Sequence, residues 1–576
     1  MVPKKKRRER IPVKIILNPS LEELEKWGPT AWVFDTETTG LEVAGATAPH
    51  SMRYIGIGPL SDITICYIWH VSEFTETIRN FLNKQTLIAH NAKFDIHAAK
   101  LRPQGDVYDT ALMVYHSDTL ARKRLDDMAR VLGLPKIATP ELLKEGRIDE
   151  VRPDIVQEYL ADDVATTNLL ANTLIYNKTT GWKIQHDASK VFAKAEHRGI
   201  RFVPENFGRM VPIVQEALDS KMAVLNNSLG FDGNLGSPKQ LSEWLLMRGI
   251  KLPLTDSSLK NPDKPKRYST NKLVLEKLSW EGCEEAQAVI DARRMLKLQQ
   301  AFMNTLPDKV RQDGMIYPSI NMGRTKTGRL SYNNPNLQQI PKHNEIGKGL
   351  RACFTGPSGY LSVADYSQVE MRVAAGLSGD PILLDIFERG HDLHSEVAAV
   401  VLNKRREDLT SEERFSAKAI NFGILNGMGP KRLSHSLRST LDEAKRWLNE
   451  YRNRFHVLNN WMQTTWDEAE VNRIVHTASG RTRIFRREEE SVRSAVSIKV
   501  QGTAADLLYA AVVAVDDAGL DPVFSVHDEI ACDSREINEL VNVMEEAANN
   551  AFPELFKDVK FKADGYLNDT WKEPNS

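Results

Sequence analysis

Three apolar runs in this chain end in acid, and that pattern restricts the folds open to it. Ala31-Trp-Val-Phe-Asp35 leads to Glu37, Leu361-Ser-Val-Ala-Asp365 leads to Glu370, and Val523-Phe-Ser-Val526 leads to His527-Asp528-Glu529. Each run has the length and composition of a buried strand. Acids gathered at strand ends repel one another unless a cation lies between them. The fold must therefore layer its strands into sheets and bring acidic ends to cation-binding edges.

A chain of 576 residues exceeds one core, so three or four structural units are expected. The formal net charge is −1, so any nucleic-acid site must be a local basic surface balanced by acid elsewhere. Cys66, Cys283, Cys353 and Cys532 lie far apart in no paired spacing, which disfavours a disulfide framework or a zinc site and fits a reducing compartment. No apolar run is long enough to cross a bilayer, and no membrane partner is expected. The basic run Lys4 to Arg8 lacks the apolar stretch of a secretory signal and reads as a solvated tail over residues 1–10.

Residues 30 to about 180 alternate strand and helix patterns, with strands at Ala31–Asp35, Ile63–Ile68 and Thr86–His90 and a helix over Ile155–Leu174. From about 185 to 310 the pattern is almost wholly helical. There Ser237-Pro238-Lys239-Gln240 has the form of a helix start, with Lys239 placed to meet a phosphate or simply to sit on a cap. Residues 311 to 375 mix strands with a helix, a helical block follows to about 480, and strands return at Val523 to Cys532. The fold class is α/β plus α+β, in several domains.

In the first acidic set, Asp35 and Glu37 lie two apart on a strand and so share a face. Asn91-Ala-Lys-Phe-Asp95 adds an acid, and Tyr159-Leu-Ala-Asp-Asp163 places a phenol and a carboxylate four apart on one helix face. Oxygen ligands without sulfur or imidazole favour Mg²⁺ or Mn²⁺ over zinc. The ordered series Asp-x-Glu, Asn-x₃-Asp, Tyr-x₃-Asp resembles the DnaQ-like 3′→5′ exonuclease superfamily. That resemblance implies an RNase H-like fold, with Asp35, Glu37, Asp95 and Asp163 as metal ligands and Tyr159 orienting the water.

In the second set, Asp365 ends a strand, Glu370 lies on the helix after it, and His527-Asp528-Glu529 tips a hairpin with apolar arms. Arg414, Lys418, Phe422 and Asn426 recur at intervals of four, about 40° apart on a helix, and so share one face. Two cations and a ring on one face suit a nucleoside triphosphate, with the charge for its phosphates and the flat surface for sugar or base.

Together these residues resemble a family A, polymerase I-type DNA polymerase in a short, bacteriophage-type form. Asp365-Tyr-Ser-Gln-x-Glu370 matches motif A, Arg414-x₃-Lys418-x₃-Phe422-Gly423 matches motif B, and Val526-His-Asp-Glu529 matches motif C. Thr327-Gly-Arg-Leu-Ser331 with Asn334-Pro-Asn-Leu-Gln338, and Gln501-Gly-Thr-Ala-Ala-Asp506, match further elements. The resemblance implies an exonuclease domain over 1–180 and a right-hand polymerase over 181–576. Within the latter it implies a thumb at about 185–310, a palm at about 311–375 and 490–576, and fingers at about 376–489. It implies Asp365 and Asp528 as catalytic metal ligands, Glu529 as the neighbouring acid, Glu370 as a steric gate against a ribose 2′-hydroxyl, and Arg414, Lys418, Phe422 and His394 at the triphosphate. Arg329, Asn336, Gln338, Arg493, Gln501 and His527 would contact DNA.

The implied cofactors are two Mg²⁺ at each site, with Mn²⁺ as a substitute, and the implied partners are primer–template DNA and deoxynucleoside triphosphates. A monomer in the (host) cytoplasm, without a 5′-nuclease domain, is expected; replisome partners are not readable. Asn426 stands where the family often has Tyr, and Ser497 and Gln339 stand where it often has Asn, which bears on template positioning. Phe422 in place of Tyr implies discrimination against dideoxynucleotides. A single-subunit RNA polymerase would not need Glu370 and the first acidic set, an RNase D-type exonuclease would leave the second set idle, and a structural protein would need neither.

Overall fold

The computed structural model describes residues 9–174, 180–261, 265–342, 344–437, 439–486 and 490–574, without the side chains of residues 180, 260, 412, 415, 416, 419 and 422. The basic run Lys4 to Arg8 and the side chain of Phe422 lie outside the described residues.

The N-terminal unit is built on a six-stranded mixed sheet. Its strands are β1 (Lys14–Leu17), β2 (Ala31–Thr38), β3 (Met52–Pro59), β4 (Ile65–His70), β5 (Thr86–Ala89) and β6 (Val107–Asp109), in the order β1-β4-β3-β2-β5-β6. Central β2 pairs antiparallel with β3 and parallel with β5. Trp32, Val33 and Phe34 are all fully buried, because both faces of β2 are covered. On one face Trp32 and Phe34 join Ile55, Leu82 and Ile96; on the other Val33 joins Ile68, Ile88, Leu160 and Val164. Burying a side chain such as Phe34 contributes about 1.5–3 kcal/mol. The helix Pro153–Leu174 lies so close to the sheet that a Cβ on Gly56 would stand 2.9 Å from Leu160 Cγ. The strands begin and end within a few residues of the expected bounds, since apolar runs mark strands better than their ends.

The next segment is mostly helical, with helices Thr180–Arg198, Pro204–Ala223, Pro238–Met247, Lys272–Trp280 and Glu284–Leu298. It also holds a strand that the sequence pattern does not reveal. Ile200–Phe202 pairs with Phe354–Thr355 and with Met315–Ile316. Gly199, at φ +74°, ends the preceding helix, and three residues are too few for a period-2 signal. An unexpected hairpin, Ile474–His476 with Thr482–Ile484, interrupts the block expected to be helical to about 480. Arg473, at φ +58°, stops the helix before it.

The four-stranded sheet runs in the order Pro522–Val526, Glu529–Cys532, Leu361–Tyr366, Ala563–Asn568, all antiparallel. The helix Ala495–Asp517 packs against both Thr180–Arg198 and Ile537–Ala551, with Phe192 and Tyr509 edge to face at 6.2 Å. The expectation that no segment could cross a membrane is corrected here. Val492–Asp517 is long and apolar enough by length and composition, yet 72% of its most apolar window is buried inside the protein, as in a core helix.

Candidate active sites

Asp365 lies opposite Glu529 on one side and Asp564 on the other. The Tyr366 N–H donates to the Asp528 carbonyl at 3.2 Å, so the acidic ends of motifs A and C are adjacent. The turn between the hairpin arms is only His527-Asp528, and His527 takes φ +58°. Gln368, which precedes the helix Val369–Ser378, takes φ +54°, and Asn91, before the helix Ala92–Ala98 that carries Asp95, takes φ +73°. Left-handed conformations at such residues cost about 1–3 kcal/mol and cluster at functional sites.

Basic side chains surround the carboxylates. Lys342 Nζ donates to Asp365 Oδ2 at 2.5 Å and lies 3.6 Å from Glu529 Oε2. Glu529 is buried; Arg351 Nη1 lies 3.3 Å from both its oxygens, and Trp571 Nε1 donates to Oε1 at 2.5 Å. The Arg351 guanidinium also lies 4.0 Å from the Trp571 ring centroid. Glu529 thus holds the framework behind Asp365 rather than lying unpaired beside it. Arg329 forms an ion pair with buried Glu370. Withdrawal from water, with the charges of Asp365 and Glu370 opposed by Arg329 and Lys342, pushes the Asp528 carboxyl up to about 7.

The motif B helix spans Ser411–Leu425, so Asn426 falls just past its last residue rather than on its face. Gly427, at φ +68°, follows and turns the chain back, with the Met428 N–H on the Gly423 carbonyl at 2.8 Å. Arg414 grips Asp392 with two hydrogen bonds of 2.8 and 2.9 Å. Asp392 caps the helix Leu393–Leu402 through Ser395, and Gln368 Nε2 reaches it at 3.5 Å. Burial raises the Asp392 pKa, but the Arg414 and Ser395 hydrogen bonds outweigh it and bring it to about 2. His394 is buried against Asn421, Nδ1 to Nδ2 at 2.9 Å. Burial, then the charges of Arg414 and Lys418 against that of Asp392, lowers its pKa to about 4. His394, Arg414 and exposed Lys418 therefore share one electrostatic neighbourhood.

Of the expected DNA contacts, His527 lies close enough to Arg329 for that charge, after burial, to lower its pKa. Asn336 caps the short turn Leu337–Gln339, and Gln338 Nε2 donates to the Leu330 carbonyl at 2.9 Å. Exposed Arg493 precedes the helix that carries Ser497 and half-buried Gln501. Ser237 caps the helix Pro238–Met247 as expected, but Gln240 does not complete a capping box; its side chain accepts from the Asn234 N–H at 2.6 Å. Lys239 is exposed on that helix, whose apolar face packs into a separate core with Phe231 and Leu235.

In the N-terminal unit, oxygens of Asp35, Glu37 and Asp163 lie within 4.8 Å of one another. Asp95 is buried near Asp35; burial, then the Asp35 charge, raises its pKa, and its Oδ1 accepts from Thr36 N–H at 3.1 Å and Thr36 Oγ1 at 2.6 Å. Burial and the Asp163 charge push Asp35 up to about 8, and burial pushes Asp163 up to about 6 despite Lys136. Lys136 forms an ion pair with Asp163, lies 3.3 Å from Asp126 and 4.9 Å from the Tyr159 ring centroid, and Thr139 Oγ1 meets Tyr159 Oη at 3.1 Å. A hard divalent cation fits this all-oxygen set: its charge would offset the burial, and the repulsion at Asp35, that raise these pKa values.

Lys136, Lys342, Arg351, Trp571 and Asp392 carry these sites, yet sequence reasoning passed over them. None sits in a spaced motif, and each meets its partner only through folding. The four cysteines are free thiols, three of them buried.

Residues 209–573 match the family described as DNA polymerase family A. DNA polymerase I of Pseudomonas aeruginosa is 31% identical over 493 residues, which cover 79% of this chain and 53% of that protein. The thermostable DNA polymerase I of Thermus aquaticus is 33% identical over 366 residues, covering 61% and 43%. The chain thus spans about half the length of the curated relatives it matches. A solved structure of the POL domain of Pol1 from M. smegmatis, in complex with DNA primer-template and dNTP, superposes with a TM-score of 0.79 at 25% identity, covering 96% of this chain and 99% of that one. With the match running through all three polymerase motifs and the fold shared along nearly its whole length, the chain belongs to DNA polymerase family A.

Proposed function

We propose that this protein extends a DNA primer on a template and that its N-terminal unit, residues 1–180, removes nucleotides from the 3′ end as an RNase H-like exonuclease. The remainder, 181–576, would act as thumb, palm and fingers. The observation that carries the reading is the pairing of two separate carboxylate centres, Asp365 with Asp528 and Asp35 with Glu37 and Asp163, within a chain of this family.

At the polymerising centre Asp365 and Asp528 would hold Mg²⁺, and at the second centre Asp35, Glu37 and Asp163 would do so, with Asp95 contributing after release from Thr36. When bound, such ions supply charge for phosphoryl transfer and lower the pKa of the attacking oxygen. The chain's own residues do the rest. Arg414 exchanges Asp392 for the triphosphate, and Lys418 adds a second positive charge as negative charge develops. Phe422 and His394 complete the triphosphate contacts. Glu370 fills the space beside the sugar. Arg329, Asn336, Gln338, Arg493, Gln501 and His527 steady the duplex through contacts whose phosphate part makes affinity salt-dependent. Tyr159 orients water for hydrolysis.

The test is a labelled primer–template incubated with Mg²⁺. Extension should require nucleotides and shortening should occur without them. Asp528→Ala should abolish only extension, and Asp35→Ala only shortening. Loss of both activities from either change would refute two independent centres.

A further inference from the structure

The segment Gly323 to Arg329 is held by the N-terminal unit as well as by its own surroundings. Tyr115, fully buried on the helix Thr110–Ser117, donates its hydroxyl to the Thr325 carbonyl at 2.8 Å. Lys123 donates to the Gly323 carbonyl, and its ammonium lies 4.4 Å from the Tyr115 ring centroid. His90 Nε2 donates to the Lys123 carbonyl at 2.5 Å and so ties this lysine back to its own unit. From the other side Tyr509 donates to the Gly328 carbonyl at 2.5 Å. The buried Arg481–Asp506 pair, 2.8 Å apart, brings a guanidinium to 5.9 Å from the Tyr115 ring centroid. Gly328 takes φ +88°, and a Cβ there would stand 2.2 Å from Arg481 Nη2, so only glycine fits. Thr325 Oγ1 closes the segment by donating to the Arg329 carbonyl at 2.8 Å.

Three carbonyls ahead of Arg329, and its own carbonyl, are thus held, and two of these four anchors come from the N-terminal unit. The helix that carries Tyr115 starts at Asp109, whose carboxylate accepts from the Asn91 and Ala92 N–H groups at 3.0 and 3.1 Å. Those groups begin the helix that carries Asp95. One short helix therefore contacts both the N-terminal acidic centre's scaffold and the loop that carries Arg329.

We propose that Tyr115 and Lys123 are positioning residues for polymerisation: they fix the loop that presents Arg329 to primer–template DNA. This role rests on the polymerase reading above. It makes the N-terminal unit part of the DNA platform in addition to its own chemistry. A part-buried carbonyl left without its donor loses a hydrogen bond, so removing the Tyr115 hydroxyl alone should loosen the loop without creating a cavity.

The experiment uses the full chain with Tyr115→Phe, Lys123→Met and Arg329→Lys, and the double variant Tyr115→Phe with Arg329→Lys. Each is assayed for KM of primer–template, for kcat, and for hydrolysis of a single-stranded oligonucleotide. Tyr115→Phe and Lys123→Met should each raise KM for primer–template about fivefold, the scale of one lost hydrogen bond, with kcat and single-strand hydrolysis within about twofold. The double variant should lose less than the product of the two single effects, because both act through Arg329. Unchanged KM in the single variants, or fully multiplicative effects in the double variant, overturns the role. Parallel loss of kcat, DNA affinity and single-strand hydrolysis also overturns it, since that is simple misfolding. If the unsubstituted chain extends no primer, the polymerase reading falls and takes this role with it.

Discussion

Arg329 and Glu370 form an ion pair that joins the Gly323–Arg329 loop to the first turn of the helix Val369–Ser378. Two residues expected to do separate work, one on DNA and one on the sugar, hold each other in place. Breaking the pair should therefore affect both substrates.

Glu370→Ala removes bulk and charge, whereas Glu370→Gln keeps the bulk. The first should admit ribonucleotides and also raise KM for primer–template several-fold. The second should raise that KM while still excluding ribonucleotides. Incorporation ratios of ribo- to deoxynucleotides, measured beside a primer–template titration, separate the two. Equal loss of sugar selectivity in both variants would count against a steric role.

Lys342 stands 2.5 Å from Asp365 and 3.6 Å from Glu529, where it neutralises charge that a divalent ion would otherwise meet. Lys342→Met should tighten Mn²⁺ binding at this centre several-fold, because the competing cation is gone. Calorimetric titration in an Asp35→Ala background, which weakens the other centre, would read it. Weaker Mn²⁺ binding would mean that the lysine shapes the site rather than competing for it.

Arg351 and Glu529 are both buried, with side-chain exposures of 5% and 3%. Without Arg351, the buried Glu529 charge keeps only Lys342 at 3.6 Å and the Trp571 N–H. Arg351→Met should cost about 3–5 kcal/mol in denaturant unfolding, and adding Glu529→Gln should recover part of it. A loss below about 1 kcal/mol would show that water reaches Glu529.

The N-terminal centre should make stability depend on pH and metal. Asp35 and Asp163 are raised to about 8 and about 6 from the ordinary carboxylate value of 3.8. Between about pH 4 and 8 the folded state therefore binds more protons than the unfolded state, and stability falls as pH rises through that window. Without metal, the melting temperature should drop between pH 5 and 8. Mn²⁺ should restore it, and Asp35→Asn should flatten the dependence. A flat profile in the metal-free protein would mean that Asp35 and Asp163 are not withdrawn from water as the structure has them. Scanning calorimetry with and without a chelator provides the measurement.

The motifs were legible because they are local. Val33 and Phe34 mark a strand, Asp35 and Glu37 share its face, and Arg414 and Lys418 share a helix face, all by backbone periodicity alone. The hairpin was visible between its apolar arms, but its tip was expected to include Glu529, which instead begins the second arm and is buried, leaving His527-Asp528 as the turn. Short elements were not: Ile200–Phe202 has three residues, and the hairpin around Gly480 has arms of three. Spacing puts Asn426 on the helix face, but the helix ends at Leu425 and Gly427 turns the chain back.

What the sequence determined by itself is the inventory: two sets of carboxylates, a cationic helix and the strands that carry them. Tertiary structure alone decided how those charges are balanced. Lys136 reaches Asp163, Lys342 reaches Asp365, Arg351 reaches Glu529 across 178 residues of chain, and Tyr115 reaches Thr325 across 210. No periodicity encodes such pairs. Burial makes an unpaired charge or carbonyl too costly to leave, so the fold that forms is one in which distant partners meet.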